Sequence, residues 1–322
     1  MITRRAGLLG SLAAVLPRSG FAQPVPVTMM IGSAAGSGLD RIGRAFATRL
    51  QSHASQLAIG IRNLPGEGGW TMLSALASAS PSVSVFGWIS VPTLVARMID
   101  RDDPNLMQRL QLVGRVQREP VAFVSPASDP VDSVQDIIRR AADDADAVPL
   151  ATPQAGSPSH LAALRLQALA QTRLNIVTFP SASAAAQAVL AGNVSAAALG
   201  LSDVIEAIRD GRLSAIGIAA RRRFGLLPDT PVLNEAGIPL SAFISRGVAV
   251  PAGTPIDHVA QLAVALRAVA ADEAFQAEAQ EKGYLLAWKD GASWLADAQA
   301  ERAILAKLWE TDPWLSSSGG AG

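Results

Sequence analysis

Short apolar runs alternate with amphipathic segments along most of this chain, and that alternation is the feature that most limits its fold. The first apolar run, residues 27–31, is followed by a Gly- and Ser-rich stretch at residues 32–38. Ile42, Phe46 and Leu50 then recur at helical spacing. The same order of strand, loop and helix returns immediately afterwards. Strands that alternate with helices are typical of a parallel sheet in an α/β protein.

A second alternating set begins near residue 148 and predicts a second α/β unit. Its strands are expected at residues 148–151, 175–179, 194–199 and 213–219, with helices at 157–170, 184–190 and 203–210. Further strands are expected at residues 112–116, 121–124 and 243–250, before a mainly helical end. No Pro-, Gly- or Ser-rich linker separates the two sets, and 322 residues are enough for two domains. The pattern therefore predicts two lobes joined by crossing strands around a hinged cleft.

The amino-terminal segment has the pattern of a secretory signal peptide. Arg4 and Arg5 precede an apolar stretch at residues 6–16, and small residues follow near Ala22. We therefore expect residues 1–23 to be a signal peptide, with general secretion favoured over a twin-arginine signal. Its removal leaves 24 basic and 27 acidic residues, so the mature chain is mildly acidic.

The composition excludes several classes of function. The chain has 27 Lys and Arg residues against 27 Asp and Glu residues, which provides no basic surface for nucleic acid. It has no cysteine and three isolated histidines, so neither a metal site nor a cysteine nucleophile is expected. No apolar run reaches the roughly 18 residues of a membrane span. These counts favour a globular protein without a metal or cofactor.

Four Gly- and Pro-rich segments carry a resemblance to a known family. They are AGSGLDRIGR at residues 35–44, NLPGEGG at 63–69, PDTPVLNEAG at 228–237 and PAGTP at 251–255. Weaker matches lie at residues 156–161 and 208–213. In order and spacing this set resembles the substrate-binding proteins of tripartite tricarboxylate transporters, the Bug family, over essentially the whole mature chain.

The resemblance implies a fold like the type II periplasmic binding proteins, with two α/β lobes joined by crossing strands around a ligand cleft. Residues 24–122 and 246–322 would form the first lobe, and residues 123–245 the second. It implies a periplasmic, monomeric, non-enzymatic receptor. Its partners would be a small organic acid, such as a di- or tricarboxylate, an amino acid or an aromatic acid, and the membrane permease subunits of a tripartite tricarboxylate transporter.

A carboxylate inside a closed cleft must exchange its water for hydrogen-bond donors, because an unpaired buried charge is costly. Backbone N–H groups at helix N-termini supply such donors, and glycine lets the backbone approach closely. The loops around Gly36 and Gly156 have this composition, and positions implied by the resemblance complete the set. The candidate ligand-binding residues are Ser33, Ala35, Gly36, Ser37, Gly38, Asp40, Gly156, Ser157, Ser159, Ser181, Ala182, Ser183, Gly200 and Arg246.

Several of these residues have two possible roles. Each loop can also be an ordinary turn in which Asp40 or Ser157 caps a helix. Asp40 either orders its loop or accepts a hydrogen bond from the ligand, and ordering is favoured because an acid would repel a carboxylate. Arg246 either grips a carboxylate or is exposed or paired with an acid where the strands cross. Both possibilities for Arg246 stay open.

The cleft positions depart from the family pattern at four places. Ser33, Ser245-Arg246-Gly247 and Pro180-Ser181-Ala182-Ser183 replace aromatic or polar family residues, and Leu199-Gly200 replaces a polar pair. The ligand is then bulkier, more apolar or more charged than usual, or the protein is a drifted paralogue that serves as an extracytoplasmic ligand sensor.

An exported serine hydrolase is the alternative from another class. It needs a G-x-S-x-G elbow or an S-x-x-K pair, and neither motif occurs. A dinucleotide enzyme needs G-x-G-x-x-G, but Arg41 stands at the last glycine position. The effector domain of a transcription regulator would need a DNA-binding element where the signal peptide stands. We therefore expect a receptor with no catalytic residues.

Overall fold

A computed structural model describes residues 23–82, 84–128 and 131–315. The predicted signal peptide lies outside these ranges apart from its last residue. The strands are β1 (Val25–Ile31), β2 (Leu57–Asn63), β3 (Val85–Ser90), β4 (Leu110–Pro126), β5 (Leu150–Thr152), β6 (Ile176–Thr178), β7 (Ala196–Gly200), β8 (Leu213–Ile218), β9 (Phe243–Pro251) and β10 (Leu285–Asp290). The α-helices are α1 (Gly38–His53), α2 (Trp70–Ala77), α3 (Val91–Asp100), α4 (Val134–Asp143), α5 (Pro158–Ala170), α6 (Ala182–Leu190), α7 (Leu201–Arg209), α8 (Ile256–Ala271), α9 (Glu273–Glu281) and α10 (Gly291–Thr311).

The strands follow the order β2-β1-β3-β9-β4-β7-β5-β6, and β8 and β10 also pair with β4. β1 is parallel to β2 and β3, and β5 is parallel to β6 and β7, as expected for strands connected through helices. β9 runs antiparallel to both β3 and β4. The result is a mixed sheet made of two parallel parts on either side of a central antiparallel pair.

Strand β4 belongs to both parts of this sheet. Its residues 110–120 pair with β9, and residues 114–118 also pair with β10. Beyond Pro120 the same strand pairs with β7 and β8. We call the part built on β1, β2, β3 and β10 the first lobe and the part built on β5 to β8 the second lobe. β4 and β9 connect them, so the predicted α/β fold with crossing strands is confirmed.

The prediction of two separate strands at residues 112–116 and 121–124 was wrong, because β4 is one strand of 17 residues. Polar Gln117, Arg118 and Glu119 interrupt the apolar pattern there. Gln117 and Glu119 are nevertheless buried, so the strand continues through them. A pattern that counts apolar residues cannot foresee buried polar positions whose partners come from elsewhere in the fold.

Two elements had no counterpart in the sequence prediction. Helix α3 begins directly after β3, with Pro92 in its first turn, where proline is well tolerated because the N–H is unneeded. β10 is a half-buried strand that pairs with one edge of β4. It immediately precedes α10, where the Asp290 side chain accepts a hydrogen bond from Ser293 N–H at 2.9 Å and so caps the helix.

Apolar cores fill both lobes. In the first lobe Phe46, from the predicted amphipathic face of α1, stacks on Trp88 with ring centroids 4.3 Å apart. Trp294 and Trp314, near the carboxyl end, are buried in a core that also contains Leu94 of α3. Within the described ranges, no helix combines the length and the apolar character that a membrane crossing requires.

Candidate ligand-binding site

A cavity of about 400 Å³ lies between the two lobes. The first lobe contributes the loop after β1, the turn at residues 65–69 and the start of α3. The second lobe contributes the loops that precede α5 and α6, together with the first turn of α7. Ile244 and Arg246 of the connecting strand β9 also line it. The cavity thus lies where movement of one lobe toward the other would enclose a molecule.

Three helices begin at this cavity with a serine cap. Ser37 Oγ accepts a hydrogen bond from Asp40 N–H at 3.3 Å, and Ser157 Oγ accepts one from His160 N–H at 3.3 Å. Ser181 caps α6 in the same way, with its Oγ 3.1 Å from the nitrogen of Ala184. A helix leaves its first four N–H groups without intrahelical partners, and each serine satisfies one of them. The cavity wall is therefore rich in backbone donors and in the positive ends of helix dipoles.

The predicted site residues divide into two groups. Those that line the cavity are Ser33, Ser37, Gly38, Ser157, Ser159, Ser181, Ala182, Ser183 and Arg246. Those that do not line it are Ala35 and Gly36, which are exposed, and Asp40, Gly156 and Gly200. Contact of either group with a ligand stays a prediction. The second group contains the glycines that shape the loops, since both Gly36 and Gly156 have positive φ angles.

Asp40 is buried behind the loop that precedes α1. Its carboxylate accepts hydrogen bonds from Gly36 N–H and from Asn63 Nδ2, each at 2.8 Å, and from Arg44 Nε at 2.8 Å. Burial raises the pKa of Asp40, but the hydrogen bonds from Arg44, Asn63 and Gly36 outweigh it, and the pKa lies below its ordinary 3.8. These contacts fit the ordering role that the sequence favoured for Asp40.

His160 occupies the same place behind the loop that precedes α5. Its Nδ1 accepts a hydrogen bond from Gly156 N–H at 3.4 Å. Burial, aided by the positive charge of Arg97, lowers the pKa of His160 to about 4, so the imidazole is neutral at pH 7. This loop is therefore held in shape without a negative charge.

Arg97 on α3 connects the two lobes at the back of the cavity. Its guanidinium donates to the carbonyls of Glu67, at 3.1 Å, and of Ala155, at 3.4 Å, which belong to the first and the second lobe respectively. It also forms an ion pair with Asp100 at 2.6 Å, in which both side chains are almost completely buried. Trp314 Nε1 donates to the same carboxylate at 2.7 Å. Arg97 was not among the predicted site residues.

Arg246 forms an ion pair with Glu119 where the connecting strands cross. The other carboxylate oxygen of Glu119 accepts a hydrogen bond from Ser202 N–H at 2.8 Å, at the start of α7. Arg246 still lines the cavity, although its charge is largely balanced by Glu119. Of the roles that the sequence left open for this residue, the geometry matches pairing with an acid at the crossing.

Asp203 is a cavity residue that sequence reasoning missed. It lies in the first turn of α7, beside the pair formed by Glu119 and Arg246. Burial and then the negative charge of Glu119 raise the pKa of the Asp203 carboxyl to about 7, while Arg246 and Arg41 act in the opposite direction. It follows the family-like position Gly200 by three residues, but that proximity alone does not show that its carboxylate faces the cavity.

The first lobe supplies further lining residues that were not predicted. Gly66, Gly68 and Gly69 belong to the NLPGEGG segment, which supported the resemblance but was not assigned to the site. Ser90, at the end of β3, lines the cavity with a buried Oγ that has no hydrogen-bond partner among the described residues. The signal that could have indicated Ser90 is its position where a strand passes directly into a helix, because ligands commonly bind at that edge of an α/β sheet.

Comparison with known families identifies the chain. The model of the tripartite tricarboxylate transporter family receptor, TctC, matches residues 42–304. The chain belongs to this family. The sequence-based assignment is therefore confirmed, and with it the expectation of a solute-binding protein: TctC proteins are periplasmic solute-binding receptors rather than enzymes.

Relatives within the TctC family are distant in sequence. A protein of the UPF0065 group from Bordetella bronchiseptica is 29% identical over 251 residues, which is 77% of this chain and 74% of the relative. The protein BugT of Bordetella pertussis is 26% identical over 243 residues, 72% of this chain and 74% of the relative.

Solved TctC-like structures share the fold. MatC of Rhodopseudomonas palustris, solved with bound malate, has a TM-score of 0.76 at 23% identity and covers 88% of this chain and 98% of its own. An R. palustris protein solved with adipate has a TM-score of 0.80 at 22% identity, covering 89% and 96%. The periplasmic binding protein BugD has a TM-score of 0.77 at 22% identity, covering 88% and 96%. At these identities the likeness establishes the fold alone.

Proposed function

We propose that this protein is an exported periplasmic receptor that captures a small organic carboxylate between its two lobes and delivers it to the permease of a tripartite tricarboxylate transporter. The observation that carries the proposal is the interlobe cavity, onto which the serine-capped N-termini of α1, α5 and α6 open. The proteins solved with malate and adipate, which share the fold, support a carboxylate as the ligand.

Capture in this proposal works by closure of the lobes. Residues 24–122 with 246–322 form one moving body and residues 123–245 the other, with β4 and β9 as the connection. A carboxylate held by N–H groups from both sides would favour the closed arrangement, because donors of each lobe then satisfy the same ligand. We infer that the receptor acts as a monomer and that the cell removes residues 1–23 during export.

A thermal-shift assay across a panel of organic acids, amino acids and aromatic acids tests the proposal. A ligand at 100 times its dissociation constant adds about 2.7 kcal/mol to the free energy of unfolding, which raises the melting temperature measurably. Absence of a shift with every compound would contradict the proposal. Native mass spectrometry of the periplasmic protein measures the mass of any retained ligand. It also measures the mass of the mature chain, which should lack 22 or 23 residues.

Two variants of helix α6 localise the binding to the cavity. Ala182 is at the cavity end of the helix, and Ala191 is exposed at the other end. Ala182→Trp should fill the cavity and remove the thermal shift, whereas Ala191→Trp should keep it. Equal shifts in both variants would place the ligand elsewhere.

A further inference from the structure

Among the helices that begin at the cavity, α1, α5, α6 and α7 differ in the acidic residues of their first turns, while α2 and α3 have none. α1 has Asp40 in its first turn, and α7 has Asp203. α5 and α6 have no acid in theirs. An acid in the first turn offsets the positive end of the helix dipole, so α5 and α6 keep theirs for an external anion. The N-termini of α5 and α6 therefore favour negative charge more than those of α1 and α7 do.

Asp203 lies at the end that belongs to α1 and α7. A Cβ atom placed on Gly38, the first residue of α1, would be 3.2 Å from Asp203 Oδ1. One placed on Gly200 would be 3.1 Å from its Oδ2. The carboxylate is thus held between the N-termini of two helices from different lobes. A side chain at either position would crowd this carboxylate.

The charges beside Asp203 do not balance. Glu119 uses one oxygen for Arg246 and the other for Ser202 N–H, so this ion pair is complete without a ligand. Asp203 is influenced by the charges of Glu119, Arg246 and Arg41, but none of the described residues forms a hydrogen bond with its carboxylate. Above its pKa of about 7, the Asp203 carboxylate adds an unpaired negative charge to the wall of the cavity, and a positively charged group is what would match it.

Ser90 provides an independent indication of a polar ligand at this end. It is the cross-strand partner of Arg246 in the pairing of β3 with β9. Its buried hydroxyl faces no partner in the described part of the chain, and a buried polar group without a partner costs about 1–3 kcal/mol. Because Ser90 lines the cavity, a ligand group that can form hydrogen bonds would satisfy the hydroxyl once the side chain rotates toward it.

We propose that the ligand is a carboxylate that also carries an ammonium group, as an amino acid does, and that Asp203 binds this ammonium. The N–H groups at the N-termini of α5 and α6 bind the carboxylate at the opposite end. This inference rests on the proposed function and narrows its ligand class. A hydroxyl in place of the ammonium would find the same acceptor but leave the charge of Asp203 unmatched.

Matched pairs of compounds that differ in the amino group alone test this inference. Aspartate is compared with succinate, glutamate with glutarate, 2-aminoadipate with adipate, and phenylalanine with 3-phenylpropanoate, by calorimetric titration at pH 8. A charge-assisted hydrogen bond contributes about 1.5–3 kcal/mol, so within the pair that binds we expect the aminated compound to bind about 10- to 100-fold more tightly.

Two variants of helix α7 assign the preference to Asp203. Asp203→Asn keeps the shape but removes the charge, and it should reduce the preference to about threefold or less. Glu206→Gln is the control, because Glu206 is exposed on the same helix and pairs with Lys282 at 3.1 Å, away from the cavity. The control should keep the preference of the unmodified protein.

The outcomes separate this inference from the proposed function. If the deaminated compound binds as tightly as the aminated one in every pair that binds, the inference is wrong and the receptor function stands. A preference that survives in Asp203→Asn also overturns the role of Asp203. If neither member of any pair binds, the carboxylate receptor function fails, and the inference fails with it.

Discussion

The loops that precede α1 and α5 carry the same pattern and adopt the same shape, but they differ in charge. Each contains Ala-Gly-Ser, followed three residues after the serine by a side chain that accepts a hydrogen bond from the glycine. The glycines Gly36 and Gly156 have φ angles of +79° and +72°. In the first loop the accepting side chain is anionic Asp40, and in the second it is neutral His160.

This difference shows that separate residues determine the shape of each loop and its charge. Glycine and serine set the backbone and the helix cap, and the third residue after the serine sets the charge behind it. The second loop also has the buried cation Arg97 at its back, where the first has the half-exposed Arg44. A carboxylate should therefore prefer the second loop, and each prediction below changes one loop and uses the other as its reference.

The largest loss of stability is expected from replacing Arg97, and Arg44 provides the comparison. Arg97→Met leaves Asp100 buried without its partner and removes the donors to Glu67 and Ala155, so it should lower the free energy of unfolding by about 3–5 kcal/mol. Arg44→Met should have a much smaller effect, because water reaches the Arg44 side chain. Urea denaturation of both variants measures the difference, and equal losses would contradict the asymmetry.

The glycines come next. Alanine at either position takes a φ angle that costs about 1–2 kcal/mol. At Gly156 the new Cβ would also lie 1.9 Å from Arg97 Nη2 and 3.0 Å from the Trp314 ring, whereas at Gly36 nothing lies within 4 Å. Overpacking adds about 1–3 kcal/mol. The free energy of unfolding should therefore fall by about 2–5 kcal/mol in Gly156→Ala, but by only about 1–2 kcal/mol, the cost of the φ angle, in Gly36→Ala. Thermal unfolding of both variants measures the difference, and an equal loss of stability in Gly36→Ala and Gly156→Ala would refute this prediction.

The two side chains behind the loops should titrate in different pH ranges. Because the pKa of His160 falls from 6.5 to about 4 on folding, the unfolded chain gains a proton before the folded one as the pH drops. The folded protein should lose up to about 3 kcal/mol from this residue between pH 6.5 and 4. His160→Asn should lack that loss when the free energy of unfolding is measured against pH.

Asp40→Asn serves as the counterpart. The pKa of Asp40 is lowered on folding, so its stabilising contribution is present above the unfolded pKa of 3.8 and is lost as the pH falls from there to the folded pKa, because the unfolded chain takes up the proton first. The difference between Asp40→Asn and the unmodified protein should thus stay constant from pH 6.5 to 4. A sloping difference in that range would show that the two loops do not differ as described.

Much of the frame of this site could be predicted from the sequence, because the frame depends on local patterns. Glycine and serine between an apolar run and an amphipathic segment indicate a strand, a tight loop and a capped helix, so the Ser157 cap could be predicted. At α1 the predicted cap was Asp40, but Ser37 caps the helix, and Ser181 was placed at the site through the family resemblance alone. The charges of the site could not be predicted in this way. Glu119 and Arg246 are 127 residues apart, and their pairing depends on the register of β4 with β9.

Asp203 and Arg97 illustrate the same limit. An acid in the first turn of a helix is common as a response to the helix dipole, so the position of Asp203 in sequence does not reveal that its carboxylate faces a cavity. Arg97 lies inside a helix, where an arginine is usually exposed, and it is buried only because two carbonyls and Asp100 meet there. Such roles follow from tertiary contacts that no short segment encodes.

The smallest effects are expected from the serine caps, and they test directly which loop holds the carboxylate. Ser37→Ala and Ser157→Ala each remove one cap and should each lower the free energy of unfolding by about 1 kcal/mol. If the carboxylate is bound at the second loop, Ser157→Ala should also weaken binding of the tightest compound in the panel about fivefold, which corresponds to one lost hydrogen bond. Ser37→Ala should leave that affinity nearly unchanged. Since the two variants are matched in stability, calorimetric titration isolates the contribution to binding, and a larger loss in Ser37→Ala would mean that the negative charges of Asp40 and Asp203 do not direct the carboxylate to the second loop.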